Sequence, residues 1–209
     1  MSTSPVHHTR KALAEAHAPG DPFVLFDHWF QEATEAGLAL PEAMTLATVT
    51  PDGRPAARMV LLKGVENDGF VFYTNYASRK GREIDRHAHA ALVFHWAPLE
   101  RQVRIEGRVE RVAEEVSDAY FATRPLGSRH SALASPQSSV VPDRAWLEAQ
   151  MEEVVQRYGH HVPRPPHWGG YCVIPELIEF WQGRADRMHD RLNYRRHGDG
   201  TWLIERLAP

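Results

Sequence analysis

Four clusters in this chain set cations and hydroxyls beside apolar segments, and each could grip an anion. The first is Arg58-Met59-Val60-Leu61-Leu62-Lys63, where two cations bracket four apolar residues. On one extended, buried strand a five-residue separation puts Arg58 and Lys63 on opposite faces, each free to hold a different anion. The bland alternative is that both reach solvent at the strand ends. The second cluster is Tyr73-Thr74 followed by Ser78-Arg79-Lys80. Here a strand end meets a helix N-terminus with a capping serine, free backbone N–H groups and two cations, the makings of a phosphate site. A merely solvated first turn favours Asp or Glu instead.

The third cluster is Arg187-Met188-His189-Asp190-Arg191. As a strand, it would turn Arg187, His189 and Arg191 to one face, with Met188 and Leu192 on the other. Cations sharing a face without a facing acid repel one another, which a bound anion or planar anionic ring relieves. An edge strand kept soluble by its charge is the alternative. The fourth cluster, Tyr120, Arg124 and Ser128, follows i, i+4, i+8 spacing and on helical backbone offers two hydroxyls and a guanidinium to one phosphate. Pro125 and Gly127 interrupt that backbone.

Composition narrows the class. The chain has 209 residues, 43% hydrophobic and 24% charged, enough for one domain with a substantial core. A net charge of −3 offers no global attraction to nucleic acid or an anionic membrane, so anion binding must be local. The single cysteine, Cys172, rules out an intrachain disulfide and a multi-cysteine metal site, and the 13 histidines match no ligand spacing. The N-terminal residues lack the apolar core of a signal peptide and no apolar run reaches membrane-spanning length, so a cytoplasmic location is expected. G-x-G-x-x-G, G-x-x-x-x-G-K-[ST] and G-x-S-x-G are all absent.

The positioning elements are legible from period and punctuation. Residues 1–20 are polar and aperiodic and are expected to form a mobile arm, leaving 21–209 as one domain. Asp21-Pro22 starts a helix whose stripe is Phe23, Phe26, Phe30 and Ala33, ended by Gly37. MTLATVT and PAARMVLLKG flank an Asp52-Gly53 turn, and FVFYT, AALVFHWA and RQVRIEGRVERV follow as strands. Short helices are expected over 116–134. A longer one runs from Asp143 to about Tyr158, with Leu147, Met151, Val154, Val155 and Tyr158 on one face. YCVIP, LIEFWQ, RMHDRLNYRR and TWLIERL read as closing strands. Strands joined by tight turns favour a mostly antiparallel β-barrel with helices at its edges (an α+β, β-rich class) over a doubly wound sheet.

These same segments carry a resemblance. RMVLLK, FYTNYASRKG, LERQVRIEG, YFATRP, SPQSS, WGGY, IEFWQG, RMHDRLNY and ERLAP occur in order from about residue 22 to the end. The chain thereby resembles the pyridoxamine 5′-phosphate oxidases, FMN-binding split-barrel enzymes that make pyridoxal 5′-phosphate. The resemblance implies FMN as cofactor, dioxygen as acceptor, hydrogen peroxide as product and a homodimer with FMN at its interface. Arg58 and Lys80 would hold the FMN phosphate with Ser78 and Arg79 beside them. Met59, Val60, Leu61, Leu62, Lys63, Tyr73 and Thr74 would contact the flavin, with Gln102 on a neighbouring strand of the same cleft. Gln137, Ser138, Trp181 and Arg191 would reach it from the other subunit. Lys63, Tyr120, Arg124 and Ser128 would bind the substrate phosphate, while Arg187 and His189 orient the pyridine ring and act in catalysis.

The chain departs from the pattern at one place. Many family members carry an Arg-x-x-Tyr-like stretch thought to fold over the substrate, and here Arg10-Lys11 has no such tyrosine. Two rivals share the fold: a flavin oxidase of the phenazine type, and a non-catalytic protein that binds flavin, haem or pyridoxal phosphate.

Overall fold

The computed structural model describes residues 12–66 and 68–209. The chain runs α1 (Pro22–Glu35), β1 (Ala43–Val49), β2 (Pro55–Leu61), β3 (Gly64–Glu66), β4 (Gly69–Asn75), α2 (Arg79–Arg86), β5 (His89–Trp96) and β6 (Arg101–Arg111). Three helices follow, α3 (Glu114–Thr123), α4 (Leu126–Ala134) and α5 (Arg144–Tyr158), then β7 (Trp168–Gln182), β8 (Asp190–Arg196) and β9 (Trp202–Arg206). Among the described residues the nine strands form one sheet ordered β2-β1-β5-β6-β7-β4-β3, with β8 and β9 continuing from β7. Every pairing is antiparallel.

The punctuation works as expected at the helix starts. Asp21 accepts a hydrogen bond from the Phe23 N–H at 2.9 Å, with Pro22 at the first helical position. Ser78 and Asp143 cap α2 and α5 in the same way. The α1 stripe differs slightly from its period: Leu25, Phe26, Trp29 and Ala33 are buried, while Phe23 and Phe30 pack at its margins. Phe26 makes edge contacts to Phe70 and Phe94 with centroids 4.9 and 5.2 Å apart, so α1 seals an aromatic barrel core. No residue of α5 is fully buried, and Val155 is exposed, because that helix packs on α4 rather than on the sheet.

The largest difference from the sequence pattern lies in β7. YCVIP and LIEFWQ read as two strands because Pro175 cannot donate to a ladder. They are instead one strand of 15 residues. Its register against β6 shifts at Glu106/Gly107, so that Pro175 falls in a β-bulge. Gly107 permits the close approach there, since a Cβ at this position would lie 2.0 Å from the Ile174 carbonyl oxygen. The bulge bends β7, which pairs with β6 from Tyr171 to Gln182, with β4 over its first half and with β8 over its second. Of the segment expected to be a mobile arm, residues 1–11 lie outside the described residues, as does the Arg10-Lys11 stretch. Residues 12–20 lie against β8 and β9: the Leu13 N–H bonds Asp190, Glu15 pairs with Arg206 at 2.6 Å, and the Tyr194 hydroxyl bonds the Pro19 carbonyl.

β6, β7 and β8 are tied on one face by Glu179, which is 2% exposed. Its carboxylate accepts from Arg104 and Arg191 at 2.7 Å each. Burial would raise this carboxyl, but the two guanidinium groups outweigh it and hold it below its ordinary range. Glu179→Ala leaves two cations facing one another and should cost about 2 kcal/mol, allowing for their partial exposure. A depressed folded pKa means the contribution is complete above the ordinary Glu value of about 4.3 and fades as pH falls through the lower folded value. In urea unfolding, the gap between wild type and variant should therefore close in acid. A gap that widens below pH 4 would refute this account.

Candidate active site

β2 lies at the sheet edge, and its residues are not buried as the RMVLLK run suggested: Met59 is 62% exposed and Leu61 37%. The strand also ends at Leu61, so Lys63 stands beyond it, where its N–H bonds the Val71 carbonyl at 2.8 Å. Arg58 and Lys63 nonetheless serve different clefts. One, of about 470 Å³, is lined by Ala57, Arg58, Arg79, Lys80 and Ser138. The other, of about 310 Å³, is lined by Met59, Val60, Leu61 and Lys63 from the β2 side and by Tyr73, Thr74, Lys80, Tyr120, Arg124, Gln137 and Trp168. Lys80 borders both.

The first cleft is built on the α2 N-terminus. Ser78 accepts from the Gly81 N–H at 3.3 Å, and Gly81 is required because a Cβ would sit 2.0 Å from the Tyr76 carbonyl oxygen. Arg58 donates to Glu83 at 2.6 Å and closely to Thr48. Arg79 donates to the other Glu83 oxygen at 2.8 Å. Burial opposes the Glu83 charge, but hydrogen bonds from Thr48, Arg58 and Arg79 prevail and hold its carboxyl low. Lys80 donates to Thr74 at 3.1 Å and to Gln137 at 3.0 Å; burial, then the nearby Arg58, lowers its pKa. Three cations around one carboxylate at a helix N-terminus make an anion cradle.

The second cleft is walled by aromatic rings. Tyr73 stacks on Tyr120 at 3.9 Å and on Trp168 at 5.4 Å, and Arg124 lies over Trp168 at 4.6 Å. Burial, then Glu66 and Tyr120, pushes the Tyr73 phenol up to about 12, so it stays protonated. Arg124 keeps Nη1 buried with no hydrogen-bond partner among the described residues, and a buried guanidinium nitrogen left this way is costly unless a ligand meets it. The i, i+8 face does not form: α3 ends at Thr123, Arg124 is extended, and Ser128 sits in α4 outside the residues lining the cleft. Pro125 causes that break by restricting the residue before it.

Arg187, His189 and Arg191 do not form the expected strand face. Ala185–Arg187 is a 3₁₀ turn in which Asp186 and Arg187 have φ of 55° and 60°, and β8 begins only at Asp190. Met188 is 69% exposed rather than turned into the core, while Leu192 is buried. Nor is the face without an acid, since Glu179 holds Arg191. His189 packs on Trp181 at 4.6 Å, and its Nδ1 accepts from the Arg184 N–H at 3.1 Å. The neutral ring therefore carries its proton on Nε2 and offers a donor there.

Two groupings differ from those the resemblance implied. Gln102 is not in the cleft of β2 and β4: it pairs with Trp181 and shares a shallow hollow with Arg104, Glu179 and Arg191. Gln137 meets Thr74 and Lys80 of its own chain rather than standing apart from them. The chain thus presents one set at β2, β4 and α2 and a second at the ends of β6, β7 and β8. Glu83, Thr48 and Glu179 escaped the sequence reading. Only Glu83 left a local signal, the i, i+4 spacing from Arg79.

Among the described residues no group of His, Cys, Asp and Glu could hold a metal, and no helix is long and apolar enough to cross a membrane. A family model for pyridoxamine 5′-phosphate oxidase matches residues 30–158, and one for the pyridoxine 5′-phosphate oxidase C-terminal dimerisation region matches 168–209. A pyridoxine/pyridoxamine 5′-phosphate oxidase of Burkholderia lata is 58% identical over 98% of this chain and 96% of its own. Its namesake in Ralstonia pickettii is 57% identical over 97% and 95%. Among solved structures, PhzG from Burkholderia lata, in complex with tetrahydrophenazine-1-carboxylic acid, superposes with a TM-score of 0.88 at 33% identity, covering 93% of this chain and 95% of that one. A pyridoxamine 5′-phosphate oxidase-related, FMN-binding protein of Nostoc punctiforme shares the fold, a split β-barrel, with a TM-score of 0.74 at 18% identity over 92% and 100%. On the cradle, the aromatic cleft and matches that span nearly its whole length, the chain belongs to the pyridoxamine 5′-phosphate oxidase family.

Proposed function

We propose that this protein is an FMN-dependent oxidase acting on pyridoxamine 5′-phosphate or pyridoxine 5′-phosphate. With the amine, substrate, water and dioxygen give pyridoxal 5′-phosphate, ammonia and hydrogen peroxide. The observation that carries this reading is the pair of adjoining anion sites, one at Arg58, Arg79 and Lys80 and one at Lys63 and Arg124. Two separate phosphates, one on a cofactor and one on a substrate, account for both.

FMN is the cofactor of this family, and the residues fit it: a helix N-terminus with three cations for its phosphate, and the open face of β2 for its rings. When bound, the flavin supplies the two-electron oxidation and passes the electrons to dioxygen. The chain's own residues do the rest. Arg124, Lys63 and the Tyr120 hydroxyl hold the substrate phosphate. Tyr73 and Trp168 wall the cleft against water. His189 donates from Nε2 to a ring substituent, and Arg187 steadies negative charge on the ring. Consecutive left-handed backbone at Asp186 and Arg187 costs roughly 1–3 kcal/mol per residue, strain of the kind that persists where a side chain is aimed at a ligand.

Arg187 and the cleft of Arg124 belong to different subunits in this reading. Gly170, opposite Tyr73, and Trp181 lie eleven residues apart on β7, roughly 35 Å of strand. One flavin cannot touch both ends, whereas two antiparallel copies bring unlike ends together. A phenazine-type substrate is the second reading, favoured by the likeness to PhzG. The part-buried cation Arg124 argues for a phosphorylated substrate instead.

Purified protein should be yellow and should bleach on adding pyridoxine 5′-phosphate without oxygen. Arg58→Ala combined with Lys80→Ala removes charge-assisted bonds worth roughly 1.5–3 kcal/mol each and should leave it largely colourless. Stoichiometric flavin in that double variant would sink the cradle assignment. Arg187→Leu should keep its flavin yet lose about a hundredfold in kcat/KM, near 2.7 kcal/mol. Unchanged steady-state kinetics would remove Arg187 from the active site. Co-expressing inactive Arg124→Leu and Arg187→Leu chains tests the shared site. Random pairing makes half the dimers hybrids with one intact site of two, so about a quarter of wild-type activity should return. No recovery would place both residues in one subunit's site.

A further inference from the structure

We propose that Glu83 is a positioning residue that fits the cationic cradle to a phosphate monoester, making the site select a phosphorylated flavin over an unphosphorylated one. This rests on the FMN reading above. Glu83 is 2% exposed and lies one turn into α2, behind the N-terminus that faces the cleft. Three elements converge on its carboxylate. Thr48 of β1 donates at 2.6 Å, Arg58 of β2 at 2.6 Å and Arg79 of α2 at 2.8 Å.

A carboxylate beside an anion site looks unfavourable, since it repels the ligand it stands behind. Two features reverse that expectation. The first is order: the Arg58 fork is held by Glu83 through Nη2 and by Thr48 through Nη1, so its rotamer is set before any ligand arrives. An arginine side chain carries considerable rotamer entropy, and a guanidinium already fixed loses less of it on binding. The second is charge. Arg58, Arg79 and Lys80 against one carboxylate leave two positive charges. A phosphate monoester carries about −1.5 to −2 at pH 7, the complement of that cradle. Without Glu83 three cations would share a part-buried site and splay apart.

The sign of one substitution separates order from plain Coulomb attraction. Apoprotein of wild type, Glu83→Gln and Thr48→Val is titrated with FMN and with riboflavin, following flavin fluorescence. Wild type should prefer FMN. Glu83→Gln should weaken FMN binding about tenfold or more, the loss of one charge-assisted contact, while riboflavin affinity holds. Thr48→Val, which removes only the hydroxyl behind the carboxylate, should shift the FMN-to-riboflavin ratio the same way by a smaller factor. Tighter FMN binding in Glu83→Gln, or equal losses for both flavins, would overturn the proposal. Should Glu83→Gln fail to fold, an unchanged ratio in Thr48→Val would overturn it alone. A wild type indifferent to the phosphate would instead refute the cradle's assignment to FMN.

Discussion

The bend in β7 is the constraint on which the rest of this molecule depends. One strand of 15 residues holds β6 from Tyr171 to its end and exchanges its second neighbour, β4 for β8, at the bulge of Gly107 and Pro175. An unbent strand of this length would flatten the sheet and open the barrel. The bulge lets the same strand close the core around Phe26 and Phe94 and still extend a second surface beyond it. It also separates the Tyr73 end from the Trp181 end, and that separation is what makes a second copy of the chain necessary to the proposed site.

Charge is handled alike on both surfaces. Glu83 draws together Arg58 and Arg79, and Glu179 draws together Arg104 and Arg191, each from almost complete burial. Either cluster would be self-repelling without its acid. With it, the guanidinium groups are fixed and still partly positive toward a ligand. Arg124 is the contrast: its cation rests on aromatic faces, with one buried nitrogen left unmet among the described residues. That difference suits a permanent cofactor on one side and a transient substrate on the other.

Short-range physics was legible in the chain. Helix starts at Asp21, Ser78 and Asp143, the hairpin at Asp52-Gly53 and most strands follow from caps, turns and period, since each depends on neighbours within a few residues. The cations of the proposed anion sites stood out too, because an arginine and a lysine in the first turn after a capping serine are out of place in a merely solvated helix start. Residue order alone therefore determined the antiparallel class, the absence of an intrachain disulfide and the segments proposed to bear chemistry.

Which segments meet was decided only by the tertiary fold. Pro175 reads locally as a strand end, yet the ladder to β6 continues through it while its other edge lies between the β4 and β8 ladders, so one lost donor does not end the strand. Arg187 and His189 alternate as a strand would, yet a 3₁₀ turn and left-handed backbone set their directions. Thr48, Arg58 and Glu83 come from three elements with no common spacing, and only sheet order and helix docking bring them within hydrogen-bond distance. Gln102 leaves the cleft it was expected to join because its register partner is Trp181, at the far end of β7. Local propensity acts over a handful of residues, whereas a site is closed by contacts between distant ones, and those are fixed by how the barrel packs.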